Sequence, residues 1–329
     1  MQAHYDVTAV GNAIVDLIAR VEPEFLALHG LRPASMSLID EPRADELTGL
    51  LGTGVTEAGG SAGNSMAGLV SLGGKAAFIG KVAEDALGER YTRAFHDAGV
   101  HFTTPARAAP PGTARCLIAV TPDGQRAMNT YLGASTLLSP EDIDRGLIEA
   151  SSLVFLEGYL FDREAAKAAF VRAAQYAQGA GRRTALTLSD LFCVERHRDS
   201  FRHLVEHHVD VLFANEAEIL ALYETQDLLA AIAKARSHCP IVAVTRSELG
   251  AIVASPEELV TIPAVPTQVI DTTGAGDQYA AGFLFGLARG KSLADCGQLG
   301  AIAAAEVIAH LGPRPQESLA ALVAKAGLG

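Results

Sequence analysis

Leu153-Val154-Phe155-Leu156, the alanine-rich run Arg163–Gln178 and Thr184-Ala185-Leu186-Thr187-Leu188 follow one another as strand, helix and strand. The two short runs are apolar without alternation, as strands buried on both faces are, and the run between them has the length of a helix. The pattern continues outward: Val209–Phe213 and Ile241–Thr245 read as strands, Glu216–Tyr223 as a helix, and Gly274–Ala288 and Leu293–Ile308 as two buried helices. Alternation of this kind predicts an α/β fold of three layers, αβα, in which helices cover both faces of a mostly parallel sheet. Right-handed crossovers then bring the loops that follow the strands to one edge, where ligands bind. Asp190, Asn215, Thr245 and Asp277 occupy such positions.

The first third differs. Ala13–Val21, Ser35–Ile39 and Ala114–Met128 read as short strands, the last with a Pro122-Asp123-Gly124 turn that suggests a hairpin. They predict a small, discontinuous β lid over about 14–41 and 101–130. The α/β core then covers about 1–13, 42–100 and 131–329. Ser61–Leu72 reads as a helix capped by Ser61, and Ala76–Gly80 as a core strand.

Composition narrows the function. The chain has 329 residues, 49% hydrophobic and 19% charged, enough apolar material for a large core. Lys plus Arg number 26 against 38 Asp plus Glu, and the net charge of -12 repels a nucleic-acid backbone. Cys116, Cys193, Cys239 and Cys296 include no CxxC pair, which suits reduced thiols in a cytoplasmic protein. No apolar run reaches the roughly 18 residues of a membrane span, and the N-terminus has no basic-then-apolar leader.

Several motifs fit only in part. Gly59-Gly60-Ser61-Ala62-Gly63 matches the GxSxG turn of α/β-hydrolases, but the preceding 52–58 segment is Gly-rich and polar, unlike the buried strand that turn requires. A serine hydrolase using Ser61 is kept as the alternative from a different class. His203-Leu204-Val205-Glu206-His207 has HxxEH spacing without an evident third zinc ligand. Gly286–Ser292 is one residue short of a phosphate-wrapping Walker loop. Gly274-Ala275-Gly276 begins like a dinucleotide fingerprint, but Tyr279 stands where a small residue is needed.

The stretch that carries chemistry is Asp271-Thr272-Thr273-Gly274-Ala275-Gly276-Asp277, which follows the β-prone Val265–Ile270 and opens a long apolar helix. Glycines at a helix start leave main-chain N–H groups free, and the helix dipole adds positive character, so the turn suits an anion. Asp277 beside it is placed to take a proton from a hydroxyl while the N–H groups of Gly274, Ala275 and Gly276 stabilise a transferring phosphoryl group. One base, one anion hole and a metal–phosphate unit suffice for a kinase.

In the order Gly59–Asn64, Asn215-Glu216-Ala217-Glu218 and Asp271–Asp277, the chain resembles the ribokinase-like (PfkB) carbohydrate and nucleoside kinases over essentially its full length. The resemblance implies that Gly60, Ser61 and Asn64 line the acceptor pocket. It implies that Asn215 lies near the nucleotide phosphates, that Glu218 acts on Mg²⁺ through water, and that Asp277 is the base. Gly11-Asn12-Ala13-Ile14-Val15-Asp16 has the spacing of the adenosine kinase branch, with Asn12 and Asp16 on vicinal hydroxyls, and Met36 and Leu38 resemble the lid segment over the base. Arg126 resembles a lid arginine that swings onto the transferring phosphate. Thr245–Gly250 resembles the adenine-side TxGxxG loop, with Ser247 in place of its first glycine, and Ala301, Ala304 and Val307 are candidates for the adenine wall. Asp271, Thr273 and Gly312 resemble positions around a potassium site.

The expected protein is an ATP- and Mg²⁺-dependent kinase of a nucleoside 5′-hydroxyl, with adenosine as the leading acceptor. A sugar kinase acting on ribose, fructose or a related ketose is the alternative within the class. Its partners are then its small-molecule substrates, with neither nucleic acid nor membrane, as a monomer or homodimer.

Overall fold

The computed structural model describes residues 3–33, 35–52, 54–122 and 125–329, and of residue 162 the backbone alone. Its strands are β1 (Tyr5–Val10), β2 (Ile14–Arg20), β3 (Ser35–Leu38), β4 (Val55–Ala58), β5 (Ala76–Ile79), β6 (His101–Phe102) and β7 (Ala114–Val120). They continue with β8 (Arg126–Tyr131), β9 (Ser151–Glu157), β10 (Arg183–Thr187), β11 (Val211–Asn215), β12 (Ile241–Thr245), β13 (Ala251–Ala254) and β14 (Leu259–Ile262). The main sheet runs β14-β13-β12-β11-β10-β9-β1-β5-β6. From β12 to β6 every pairing is parallel, and β13 and β14 close one edge antiparallel.

This sheet is buried on both faces, as its unbroken apolar strands require. On one face Val7, Phe155, Phe213 and Val253 pack with Met66, Phe95, Phe283 and Leu299 from the helices. On the other, Val10, Val154, Leu186 and Val244 pack with Phe170, Phe201 and Ile219. The chain leaves β1 towards β5 on one side and later returns through β9 on the other. The strand order therefore reverses at β1, and the crevice opens there, outside the strands' C-terminal ends.

The five-stranded second sheet, β3-β8-β7-β2-β4, is the lid. Its period of two sorts the side chains of β7 by face. Leu117 and Ala119 point to a cluster with Leu26, Ala44 and Leu47, so helices Pro23–Leu28 and Glu41–Leu51 cover the outside. Cys116, Ile118 and Val120 point the other way, with Ile14, Ile18 and Met128.

Four features depart from the sequence reading. β4 belongs to the lid sheet, although 42–100 reads as core, because Val55–Ala58 pairs with Val15–Ile18. β6 joins the main sheet, although 101–130 reads as lid, by pairing with β5. Ser61 is the first residue of its helix and caps nothing; Gly60 holds the N-cap position. Val265–Ile270 forms no strand: Val265 packs against the edge of the core, while Val269 at 59% and Ile270 at 53% exposure face outwards. The β7–β8 hairpin is present, while residues 123 and 124 of its turn lie outside the described residues. Among the described residues no helix is long and apolar enough to cross a membrane.

Candidate active site

A cavity of about 930 Å³ lies between the lid and the strand ends. Its lining runs from Asn12, beyond β1, to Thr245, at the end of β12. Four strand spacings separate them, roughly 19 Å, so two small molecules can lie end to end.

At the β1 end, Asp16 comes from lid strand β2 and is 8% exposed. Its carboxylate accepts no hydrogen bond from the described residues, and burial raises its pKa to about 7. A carboxylate so placed, facing a cavity, is a ready acceptor for ligand hydroxyls. Asn12 stands beside it, its Nδ2 donating to Glu157 Oε1 at 2.9 Å and its main-chain N–H to the same oxygen at 3.3 Å. The other Glu157 oxygen accepts the N–H of Ala62 at 2.8 Å. Glu157, the last residue of β9, thus pins the β1 loop to the start of helix Ser61–Ser71; burial lifts its pKa to about 7 as well. The motif reading missed Glu157. Its one signal in the sequence is an acid closing an otherwise apolar buried strand. Gly60 adopts φ 87°, and a Cβ there would come 2.2 Å from the Asn12 carbonyl oxygen, so the turn needs glycine.

Asp277 lies in the first turn of helix Ala275–Ala288. Oδ1 accepts the Ser61 hydroxyl at 2.6 Å and Oδ2 accepts Asn64 Nδ2 at 3.0 Å. Burial pushes its pKa up against the pull of these two donors, which suits a base. Ser61 has a carboxylate but no imidazole, since no histidine among the described residues lines the cavity. The hydrolase triad is therefore missing its general base.

Gly274, at φ 80°, turns the chain into this helix. The N–H of Ala275 is already given to Thr272 O at 3.2 Å, which leaves Gly274 and Gly276, of the expected three, as donors without a partner among the described residues. Arg126 does not line the cavity: it is buried, its Nη2 paired with Asp271 and its Nη1 3.2 Å from Thr273 Oγ1. Asp271 also accepts the N–H groups of Thr273 at 3.0 Å and Gly312 at 2.9 Å, so its carboxylate is fully engaged.

Further along, Asn215 and Glu218 cap helix Glu216–Tyr223 reciprocally. The Asn215 side chain accepts the N–H of Glu218 at 2.9 Å, while Glu218 accepts the N–H and Nδ2 of Asn215 at 3.0 and 2.6 Å. Both line the cavity, and burial raises the Glu218 pKa to about 7. A nearby cation would favour its charged form, so the residue fits a role towards a hydrated metal ion. Thr245, Gly250, Ala301 and Ala304 line the far end. Val307 does not: it is fully buried, and helical spacing puts Ala305 and Ile308 on the cavity stripe with Ala301 and Ala304.

Ser247 takes φ 50°, so the loop keeps the left-handed turn that glycine would adopt without strain. We expect Ser247→Gly to raise the melting temperature slightly, relief of about 1 kcal/mol being partly offset by added freedom of the unfolded chain. A lower melting temperature in that variant would contradict the strain.

The sequence from residue 6 to 319 matches the model of the pfkB family carbohydrate kinases. The chain belongs to this family. Among pfkB-family relatives, adenosine kinase from Saccharomyces cerevisiae is 27% identical, the match spanning 95% of this chain and 98% of the yeast protein. The solved adenosine kinase from Sinorhizobium meliloti is 49% identical with a TM-score of 0.91, over 98% of this chain and all of that one. A probable sugar kinase from Rhizobium etli is 45% identical with a TM-score of 0.93, over 99% of this chain and all of that one. The protein is thus a kinase of nucleosides or sugars with the ribokinase-like α/β fold.

Proposed function

We propose that this protein transfers the γ-phosphate of ATP to the 5′-hydroxyl of adenosine. The observation that carries the choice of acceptor is the pairing of the unsatisfied Asp16 carboxylate with an apolar wall of Met36, Leu38, Cys116 and Met128. Ribose hydroxyls satisfy the first, and a flat base covers the second. A free sugar would leave that wall facing water. The S. meliloti adenosine kinase, 49% identical, supports the same reading.

In this arrangement Asn12 and Asp16 hold the ribose, Asp277 receives the 5′-hydroxyl proton, and the N–H groups of Gly274 and Gly276 meet the phosphoryl oxygens. The Arg126 guanidinium, held by Asp271 and Thr273 at the edge of the anion turn, adds positive charge there. ATP would occupy the Thr245–Ala304 end, and Glu218 would hold hydrated Mg²⁺, which when bound would supply charge neutralisation on the phosphates. The Asp271 side chain is spent on Arg126, Thr273 and Gly312, so potassium beside the turn would rest on main-chain carbonyls.

A coupled ADP-release screen of adenosine, other nucleosides and free sugars tests the acceptor. Adenosine should give the highest kcat/KM, whereas turnover confined to free sugars would replace this reading with a sugar kinase.

A further inference from the structure

The segment Gly312-Pro313-Arg314 touches the motif Asp271–Asp277 and its supports three times. The Gly312 N–H reaches Asp271 Oδ2, the Pro313 carbonyl accepts Gln278 Nε2 at 3.0 Å, and Arg314 Nε faces Asn64 Oδ1 at 3.5 Å. The first two contacts are made by main-chain atoms. The third depends on the arginine itself, whose guanidinium also lies 5.4 Å over the Phe95 ring. Its Nη2 is shut off from solvent and has no hydrogen-bond partner among the described residues. A charge kept in such a place is costly unless neighbouring anions offset it.

Two of its neighbours belong to the site. Asn64 donates through Nδ2 to Asp277 Oδ2, and its amide has a second orientation, related by a half-turn, that would aim its oxygen at that carboxylate. Arginine carries only donors, so Nε beside Oδ1 favours the orientation with the donor towards Asp277. Asp16 is the second neighbour. The charged and titratable groups facing it are Arg314 and Arg126 on the positive side and Glu57 and Asp277 on the negative, with Cys116 and Tyr91 alongside; Arg314 exerts the largest influence of these.

We propose that Arg314 is a positioning residue for phosphoryl transfer, which fixes the Asn64 amide with its donor towards Asp277. Its charge accompanies that role by favouring the ionised form of Asp16. The inference rests on the reading of Asp277 as base and Asp16 as hydroxyl acceptor.

Two substitutions separate its halves. In Arg314→Gln the amide nitrogen falls at the chain position of Nε, so a donor remains and the charge is lost. In Arg314→Lys a methylene replaces Nε, so the charge remains and the donor is lost. Without the charge, Asp16 holds its proton to higher pH, and the acid limb of kcat/KM for adenosine should move up by about one pH unit in the Gln variant. The Lys variant should keep the wild-type acid limb while its kcat falls about tenfold, more than in the Gln variant. In both, KM for ATP should stay within about twofold of wild type, which marks a folded nucleotide end.

A wild-type acid limb in the Gln variant overturns the role at Asp16, and a wild-type kcat in the Lys variant overturns the role at Asn64. Asp277→Asn, run in parallel, keeps the two levels apart. If it retains turnover, the reading of the site falls; if it loses turnover while both Arg314 variants behave as wild type, only the inference about Arg314 falls.

Discussion

Asp277→Asn should lower kcat by about two to four decades, the range of a general base in a positioned site, with KM for ATP changed only a few-fold. The substitution is isosteric. An amide oxygen at Oδ1 still accepts the Ser61 hydroxyl, so the helix start and the N–H groups of Gly274 and Gly276 keep their places. What disappears is the proton acceptor, together with the Oδ2 that accepts Asn64 Nδ2. In wild type, burial raises the pKa of this carboxyl against the pull of Ser61 and Asn64, which makes it more basic than an ordinary carboxylate. Phosphoryl transfer through a loose transition state asks less of its base than of its anion hole, and this keeps the expected loss from being larger. Steady-state kinetics on adenosine with saturating ATP give the measurement. Turnover within tenfold of wild type would remove Asp277 from the proton path and leave the pocket a binding site of another kind.

The parts of this molecule that could be read from sequence are those where one segment decides its own conformation. β9, β10, β11 and β12 are continuous apolar runs that have nowhere to go but a doubly covered sheet, and helix Ala275–Ala288 is apolar all round and therefore buried. Asp271–Asp277 is local too: a glycine turn followed by a helix makes free N–H groups whatever surrounds it. The misreadings arise where the partner decides. Val55–Ala58 is a strand because β2 offers it a free edge, and no feature of those four residues announces that edge. Val265–Ile270 has β propensity and no strand to pair with; Pro266 also removes a ladder donor. The site shows the same division. Asn12, Asp16, Ser61, Asn64 and Asp277 are visible through motif spacing. Glu157, which ties Asn12 to Ala62 across 145 and 95 residues of chain, follows from the order of strands β9 and β1 alone. Arg126 is placed by the same kind of long-range contact, on Asp271 instead of in the open cavity.

Gly274→Ala should cost activity nearly as heavily as loss of the base, by a different route. The residue sits at φ 80°, and an added Cβ would lie 2.7 Å from Cα and from the carbonyl oxygen of Pro313. Neither obstacle yields easily. The left-handed backbone alone costs about 1–2 kcal/mol for a residue with a side chain. Pro313 is held from the other side, where its carbonyl accepts Gln278 Nε2 and its neighbour Gly312 donates to Asp271. The turn must therefore move, and with it the N–H groups of Gly274 and Gly276 that the proposed mechanism aims at the transferred phosphoryl group. Misaiming one such donor is worth roughly two to three decades in kcat. The melting temperature should fall as well. Gly276→Ala supplies the steric control, because a Cβ there meets no atom within 4 Å and its backbone needs no left-handed angle, so its melting temperature should match wild type. If Gly274→Ala kept both its stability and its kcat, the turn would be free to adjust around Pro313, and the rigid placement on which the anion hole depends would be absent.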